Sequence, residues 1–466
     1  MHSHEPRIFI SYARADGLEA ARRIREKLES AGFTLWQDLV AMQGGRDWWT
    51  QIEEAIRAPS IEHLVLIVTP SVLERSVVRR EIRLARQEGV QVTPVAEKLD
   101  MNQLPRWIGH VHDLRYPEQW ERLVNVLRGP STQKRMPFMA PDLPTGFVPR
   151  AFEFKALKAQ LLDAKGDAVG ITAALRGAGG YGKTVLANAL CHDLDIQDAY
   201  FDGILRVELG ERADNLLGLV SDLIKMITGE LEGFNTIGAA ASRLSEALGD
   251  RRFLLVIDDA WREEDLRPFL RGGPNTTRLI TTRIATVLHP STVRVTVDAM
   301  RGNEAVALLA RNLPEEQVQE ECERFVELAA RLGEWPFLLT LVNRFLADRV
   351  LRASEPLIRA LDGVGRRLDA RGLVAFDAKD EHARDHAVSR TIGVSLELLD
   401  ENGRERFDEL AVFPEDTDVP WGSWQDSGAG PAVWTTSTSR ISSRSWRDCR
   451  WSWRLTSSGA LFGCTM

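Results

Sequence analysis

The chain has 466 residues, a formal net charge of −8 at pH 7, and 44% apolar and 27% charged residues. That length suits about three domains of ~100–200 residues, the composition can bury full cores, and the acidic balance excludes the broad basic surface that nucleic acid requires. Cys191, Cys322, Cys449 and Cys464 have neither paired nor metal-ligand spacing, which suits a reducing cytosol. The N-terminus has no signal-like apolar run, and no segment reaches the roughly 18 apolar residues of a membrane helix. The sequence therefore predicts a cytoplasmic protein with no membrane and no nucleic-acid partner.

Residues 7–128 alternate strand and helix patterns. RIFIS, FTLWQD, HLVLIVT and VQVTPVA read as strands. DGLEAARRIREKLESAG and EIRLARQEG read as helices, the first with Leu18, Ala21, Ile24, Arg25 and Leu28 near helical spacing and Gly32 beyond its end. Strands separated by helices imply a parallel sheet covered on both faces. Residues 129–146 carry four Pro and no period, and read as a linker. Alternation resumes with AVGITAALRG, GILRVELG, RRFLLVIDDAW and RLITTR. From about 301 the pattern is helical: NEAVALLARNL, EECERFVELAARLG, PFLLTLVNRFLADRVLR and, to about 413, VSLELLDENGRERFDELAVF.

The most specific motif is GAGGYGKT. Gly177, Gly182, Lys183 and Thr184 fit G-x-x-x-x-G-K-[ST], and Gly179 and Gly180 add to its glycine content. Such glycines let backbone N–H groups curl around phosphates, the Lys reaches the outer phosphates, and the Thr hydroxyl serves Mg²⁺. The helix that follows presents its positive end to the anion. FLLVIDD is an apolar strand ending in acids, with Asp258 as the metal-side carboxylate and Asp259 placed to orient a water. Arg283 ends another strand in RLITTR, within reach of a γ-phosphate.

With these motifs in order, residues 147–420 resemble the NB-ARC ATPase module of STAND-class signalling proteins. FVPR stands where that family has its V-G-R entry segment, with Pro149 in place of Gly. The resemblance implies that Val148 touches adenine, Arg150 the phosphates, and Pro336 of LGEWPFLL packs on the base. It further implies that ADP holds the nucleotide-binding, helical and winged-helix domains closed, and that exchange for ATP releases them to self-associate. FDELAVFPEDTDVP matches the start of the winged helix.

Residues 6–128 resemble a TIR domain, a flavodoxin-like fold, through RIFISYARAD, GFTLWQD, GGRDWWTQIEEAI, HLVLIVTPSVLERS and VVRREIRLA. Many TIR domains cleave NAD⁺ at the nicotinamide bond. The resemblance assigns the catalytic carboxylate to Glu81, with Val77 where the family often has Trp. It assigns NAD⁺ contacts to Ser11, Arg14, Asp38 and Trp49, and a flap to residues 39–47. Trp49 and Glu53 form a W-x-x-x-E pair. A carboxylate suits this chemistry because the departing nicotinamide leaves an oxocarbenium-like ribose. From composition alone Glu81 reads as a solvated helix residue beside Arg79, Arg80 and Arg83, and one of Trp48 and Trp49 as core.

The composition breaks at 421. Residues 421–466 hold six of the 13 Trp and fifteen Ser or Thr, with two Leu. Only nine of the 59 basic residues are Lys, which suggests GC-rich codons. Read one frame over, the codons from Trp421 permit GVVARLW, and those from Gly463 permit Leu-His-Asp or Met-His-Asp, a motif the winged helix of the resembled family carries. A frameshift near 420 is therefore expected, with a weakened closed state and no sensor repeats following.

The predicted organisation is an α/β chain: a flavodoxin-like TIR domain (1–128), a linker (129–146), a P-loop α/β nucleotide-binding domain (147–300), a helical domain (301–385), a partial winged helix (386–420) and an aberrant tail (421–466). The predicted function is a defence or cell-death signalling protein in which an ATP/ADP switch with Mg²⁺ gates NAD⁺ hydrolysis through self-association, under an unknown trigger. The alternatives are a non-enzymatic TIR adaptor and an NTPase whose hydrolysis is the output.

Overall fold

The computed structural model describes residues 7–36, 48–96, 105, 108, 114–164, 166–173, 180–210, 213, 215–370, 450–456 and 459–465. The first unit runs β1 (Arg7–Ser11), α1 (Leu18–Ser30), β2 (Thr34–Trp36), α2 (Trp48–Ile56), β3 (Ile61–Val68), α3 (Pro70–Glu74), α4 (Ser76–Glu88), β4 (Gln91–Ala96), β5 (Leu114–Arg115) and α5 (Trp120–Arg128). Its strands are all parallel in the order β2-β1-β3-β4-β5. β3 is apolar at almost every position because a central parallel strand is covered on both faces. Leu64, Leu66 and Val68 face one layer with Phe9 and Val92, while Val65 and Ile67 face the other with Ile8, Ile10 and Val95. α4 stops at Gly89, whose φ of +78° is a left-handed cap that a side chain would strain.

The second unit runs α6 (Ala151–Asp163), β6 (Ala168–Ala173), α7 (Lys183–Cys191), α8 (Leu194–Ala199), β7 (Gly203–Glu208), α9 (Leu216–Thr228), α10 (Ile237–Leu248), β8 (Phe253–Ala260), α11 (Glu263–Leu270), β9 (Thr277–Thr282) and β10 (Val293–Val297). The sheet is again five-stranded and parallel, in the order β10-β6-β9-β8-β7. The helical region follows as α12 (Gly302–Leu309), α13 (Glu315–Glu320), α14 (Cys322–Arg331), α15 (Pro336–Ala347) and α16 (Leu357–Ala370). It shares its core with the sheet: one apolar cluster runs from Leu157 through Leu254, Val256 and Leu279 to Leu338, Phe345 and Leu368. Leu255, Ile257 and Ile280 face a second cluster with α9 and α10. Change of fold type near 300 is thus not a break in the core.

Three features differ from the sequence reading. The strand β10 and the helices α9 and α10 were not distinguished in the sequence; the burial pattern of VRVTV shows why, since only Val297 is buried. The linker is not free of regular pairing: Phe138 bridges to Ile204, with Met139 N–H donating to the Ile204 carbonyl at 2.9 Å and Ile204 N–H to Pro137 at 2.8 Å, so it extends the β7 edge. The tail, read as aperiodic, holds an antiparallel hairpin of β11 (Arg450–Thr456) and β12 (Gly459–Thr465), with Trp453 opposite Phe462. In RWSWRLT, Trp451, Trp453 and Leu455 do alternate with Ser452 and Arg454, a period of two. The expected winged helix, 386–420, lies outside the described residues.

Candidate functional site: two crevices at strand ends

The phosphate-loop site forms where β6, β8 and β9 end. Gly177 and Gly179 lie outside the described residues. Gly180 and Gly182 have φ of +75° and +81°, the left-handed region that turns successive N–H groups toward one point. A Cβ on Gly180 would come within 2.8 Å of Phe337 Cβ and 3.2 Å of Trp335 Nε1, so close packing also requires glycine there. Lys183 opens α7 and is nearly buried. The Thr184 hydroxyl donates to Asp258 Oδ1 at 3.0 Å.

Asp258 is 1% exposed. It also accepts from the Thr281 hydroxyl at 2.5 Å and from Arg206 Nη2 at 2.5 Å. The β8–β9 register shifts between Ile257 and Ala260, and Asp259 has φ of +53°, so both acids sit in an irregularity that re-aims them out of the sheet. Asp259 Oδ1 lies 3.4 Å from Arg283 Nε, its Oδ2 accepts from Trp261 Nε1 at 3.0 Å, and the Arg283 guanidinium lies over the Trp261 ring. The residue expected to orient a water and the one expected to sense a γ-phosphate are thus paired with each other.

Arg150 is buried among backbone carbonyls. Its guanidinium donates to the carbonyls of Tyr181 (3.0 Å), Asp298 (2.7 Å) and Ala299 (2.9 Å) and reaches Glu153. Through Tyr181 it braces the residue next to Gly180, and three backbone carbonyls share its donors. Val148 packs at the edge of the large core, and Pro336 is the first residue of α15, a position proline favours. Next to it Trp335 is buried and stacks on Tyr181, centroids 5.8 Å apart and planes 29° apart. This stack joins the helical region directly to the phosphate loop.

In the first unit, β1 lies between β2 and β3, so chain direction around the sheet reverses there. The carboxyl ends of such strands frame the crevice in which doubly wound sheets bind ligands. Ser11 ends β1, and its hydroxyl donates to Glu81 Oε2 at 2.5 Å across 70 residues of sequence. Glu81 is 6% exposed, which corrects its reading as a solvated residue. Neighbouring Arg80 lies 3.9 Å over the Trp49 ring, and Trp49 packs on the core while Trp48 is 43% exposed. Glu53 pairs with Arg57 at 2.9 Å, one turn further on. Arg14 is exposed on the loop after β1. That loop is pinned by Asp16, which accepts from the Thr69 hydroxyl at 2.7 Å and the Ser71 amide at 3.0 Å. Burial pushes the Asp16 carboxyl up, but these hydrogen bonds outweigh it and hold it below its usual value. Asp38 and the 39–47 flap lie outside the described residues.

The phosphate-loop residues fit a Mg²⁺-nucleotide. Thr184 and Asp258 offer hard oxygen donors side by side, and the left-handed glycines with Lys183 offer donors to anionic oxygens. Arg206, Thr281 and the Tyr181–Trp335 stack were missed in the sequence. A charged residue inside the strand GILRVE was the available signal for Arg206, and the first threonine of LITTR for Thr281.

Two family models match the chain: TIR domain over residues 8–124, and NB-ARC domain over residues 153–318. Among curated proteins, the regulatory protein AfsR of Streptomyces griseus is 28% identical over 239 residues, 50% of this chain and 24% of that protein. The disease resistance RPP8-like protein 3 of Arabidopsis thaliana is 26% identical over 256 residues, 52% of this chain and 27% of that protein. The chain thus spans about a quarter of the length of the curated relatives it matches. Among solved structures, a STAND protein with a tetratricopeptide repeat sensor from Pyrococcus horikoshii is 21% identical, covering 45% of this chain and 32% of that one, with a TM-score of 0.31. The TIR domain of the Toll-related receptor TRR-2 of Hydra magnipapillata is 18% identical, covering 26% of this chain and 98% of that one, with a TM-score of 0.24. No helix among the described residues is long and apolar enough to cross a membrane. The two parallel sheets, matched in order by these two models, are a TIR domain over residues 8–124 followed by an NB-ARC domain, a P-loop NTPase family, over residues 153–318.

Proposed function

We propose that residues 1–128 are an effector that hydrolyses NAD⁺ to nicotinamide and ADP-ribose, or a cyclised form of it, and that residues 147–385 gate it by nucleotide state in defence-type signalling. Residues 129–146 connect the two, 386–420 begin a winged helix, and 421–466 are a tail outside the native frame. The observation that carries this reading is the buried Glu81 carboxylate, held by the Ser11 hydroxyl at the mouth of the β1/β3 crevice. Removing a carboxylate from water costs several kcal/mol unless it is hydrogen-bonded, and the Ser11 hydroxyl supplies such a bond here.

In this mechanism the ribosyl C–N bond breaks with its electron pair leaving on nicotinamide. Glu81 stabilises the positive charge that develops on the ribose and orders its hydroxyls. Water adds at the anomeric carbon, and one proton is released. Ser11 fixes the carboxylate rotamer, and Arg14, Asp38 and Trp49 line the NAD⁺ site.

The NB-ARC module acts as the switch. Lys183 and the glycine loop would hold the phosphates, and Thr184 and Asp258 would hold Mg²⁺, which would supply charge neutralisation at the phosphate oxygens. Arg283 leaves Asp259 for a γ-phosphate, freeing Asp259 to orient water for a slow reset, while Val148 and Pro336 flank the base. ATP-driven self-association through the TIR and NB-ARC domains then brings TIR crevices together. Incubation of the full chain with NAD⁺ and ATP tests the reading. Glu81→Ala is expected to abolish nicotinamide release while ATP binding is retained, and equal release by the two proteins overturns it.

A further inference from the structure

The helix that carries Glu81 has two working faces. Val78, Ile82 and Ala85 face the TIR core. Arg79, Arg83 and Arg86, spaced i, i+4, i+7, form a basic stripe on the flank beside that face, and this stripe does not face water. It meets α8, the six-residue helix that follows the phosphate-loop helix α7 in the second unit. Arg79 donates to Asp195 Oδ1 from Nη2 and to Asp198 Oδ2 from Nε, both at 2.7 Å. Arg83 pairs with Asp198 and donates to the Leu194 carbonyl at 2.6 Å. Asp195 and Asp193 are tied in turn to Lys158, at 2.7 and 2.8 Å. The Lys158 and Arg79 hydrogen bonds hold the Asp195 carboxyl down at about 2. Contact with α8 is the reason α4 is buried at Arg83 as well as on its core side.

A second strand of contact runs in parallel. Ser131 Oγ donates to the Gly89 carbonyl at 2.8 Å and Met136 N–H to the Arg86 carbonyl at 2.9 Å. The chain then pairs with β7 at Phe138, whose ring meets His192 edge-on at 5.2 Å. His192 is the residue after α7. Clamp and strap therefore both end at the far end of the helix whose first residue, Lys183, is in the phosphate site. That helix is a rigid rod of roughly 13 Å.

We infer that the arginine face of α4 is a docking surface whose partner is the acidic face of α8 in the same chain, and that docking holds the TIR unit on the far end of the phosphate-loop helix and withholds this face from any second copy. The contact is built to release. Arg83 Nε and Nη1 are buried with no hydrogen-bond partner among the described residues, so its desolvation is only partly offset. Charge-assisted contacts confer orientation and selectivity here more than net binding energy. The inference goes beyond the NAD⁺ reading and stands without it.

Arginine-specific labelling by phenylglyoxal, read by mass spectrometry on the full chain, tests this. In Asp195→Asn/Asp198→Asn, labelling of Arg79 and Arg83 is expected to rise about tenfold, the change that a 1.4 kcal/mol loss of docking gives, while hydrogen exchange of 216–228 stays unchanged and reports an intact second unit. Raising ionic strength from about 0.05 M to about 0.5 M on the wild type is expected to move labelling in the same direction, since screening weakens partly exposed pairs. Unchanged labelling in the variant with 216–228 still protected overturns the inference. If the variant does not fold, the wild-type salt series decides alone: labelling that does not respond to salt overturns it.

Discussion

The two sheets solve the same geometric problem in different ways. Each is five-stranded, parallel and covered on both faces, and each places buried acid at the carboxyl ends of its strands. In the second sheet the chemistry is nearly contiguous: Gly182, Lys183 and Thr184 are consecutive, and Asp258 and Asp259 are adjacent. In the first the site exists only after folding, because Ser11 and Glu81 meet across 70 residues. A loop that wraps phosphates uses backbone N–H groups, which demand glycine at fixed positions. A crevice that presents one carboxylate needs only a helix and a strand end brought together.

That contrast can be sharpened by substitution. The largest effect is expected at Trp335, which belongs to the extended core and to the phosphate loop at once. Trp335→Ala is expected to destabilise the second unit by about 3–5 kcal/mol, seen as an earlier transition in chemical denaturation, with the TIR transition unmoved. A single shift common to both units would show that the two sheets do not unfold as separate bodies. Next is Lys183→Ala, expected to weaken ATP binding about 100-fold, in line with ~1.5–3 kcal/mol for a hydrogen bond to a charged group. Equilibrium dialysis measures it, and unaltered affinity would remove Lys183 from the site. Ser11→Ala is expected to lower nicotinamide release about tenfold through kcat with little change in KM, as a residue that positions Glu81 should. A change confined to KM would instead make Ser11 a substrate contact.

The smallest effect is one of pH. His63 is buried in β3 with Nε2 2.9 Å from the Gly129 carbonyl. Burial lowers its pKa below 6.5, the Gly129 carbonyl and Glu62 offsetting this in part. The unfolded chain therefore binds a proton that the folded chain resists. Stability of the TIR unit is full above about pH 6.5 and declines as pH falls below it. Urea midpoints of the full chain at about pH 7.5 and 5.5 check this, and His63→Gln should flatten the difference.

Much of this was legible in the sequence. Strand and helix alternation gave both parallel sheets, and the motif threonine Thr184 meets the β8 acid Asp258. Residues whose roles depend on tertiary neighbours were harder to read. Nothing in FVPR shows that the carbonyls of Tyr181, Asp298 and Ala299 will surround Arg150. Arg206 gave no motif, since its partner Asp258 is on the neighbouring strand, 52 residues away. The partners of the α4 arginines left no mark in the sequence, because their acids come from another domain. Glu53 lay at the right helical spacing from Trp49 but found Arg57 one turn further on.

The most direct test of nucleotide control over the TIR crevice is the rate of nicotinamide release by the full chain given NAD⁺ with either ATP or ADP. The account predicts release with ATP well above that with ADP, and an ADP-like rate in Lys183→Ala whichever nucleotide is supplied. Equal release with both nucleotides, or none from an ATP-assembled chain, would contradict it.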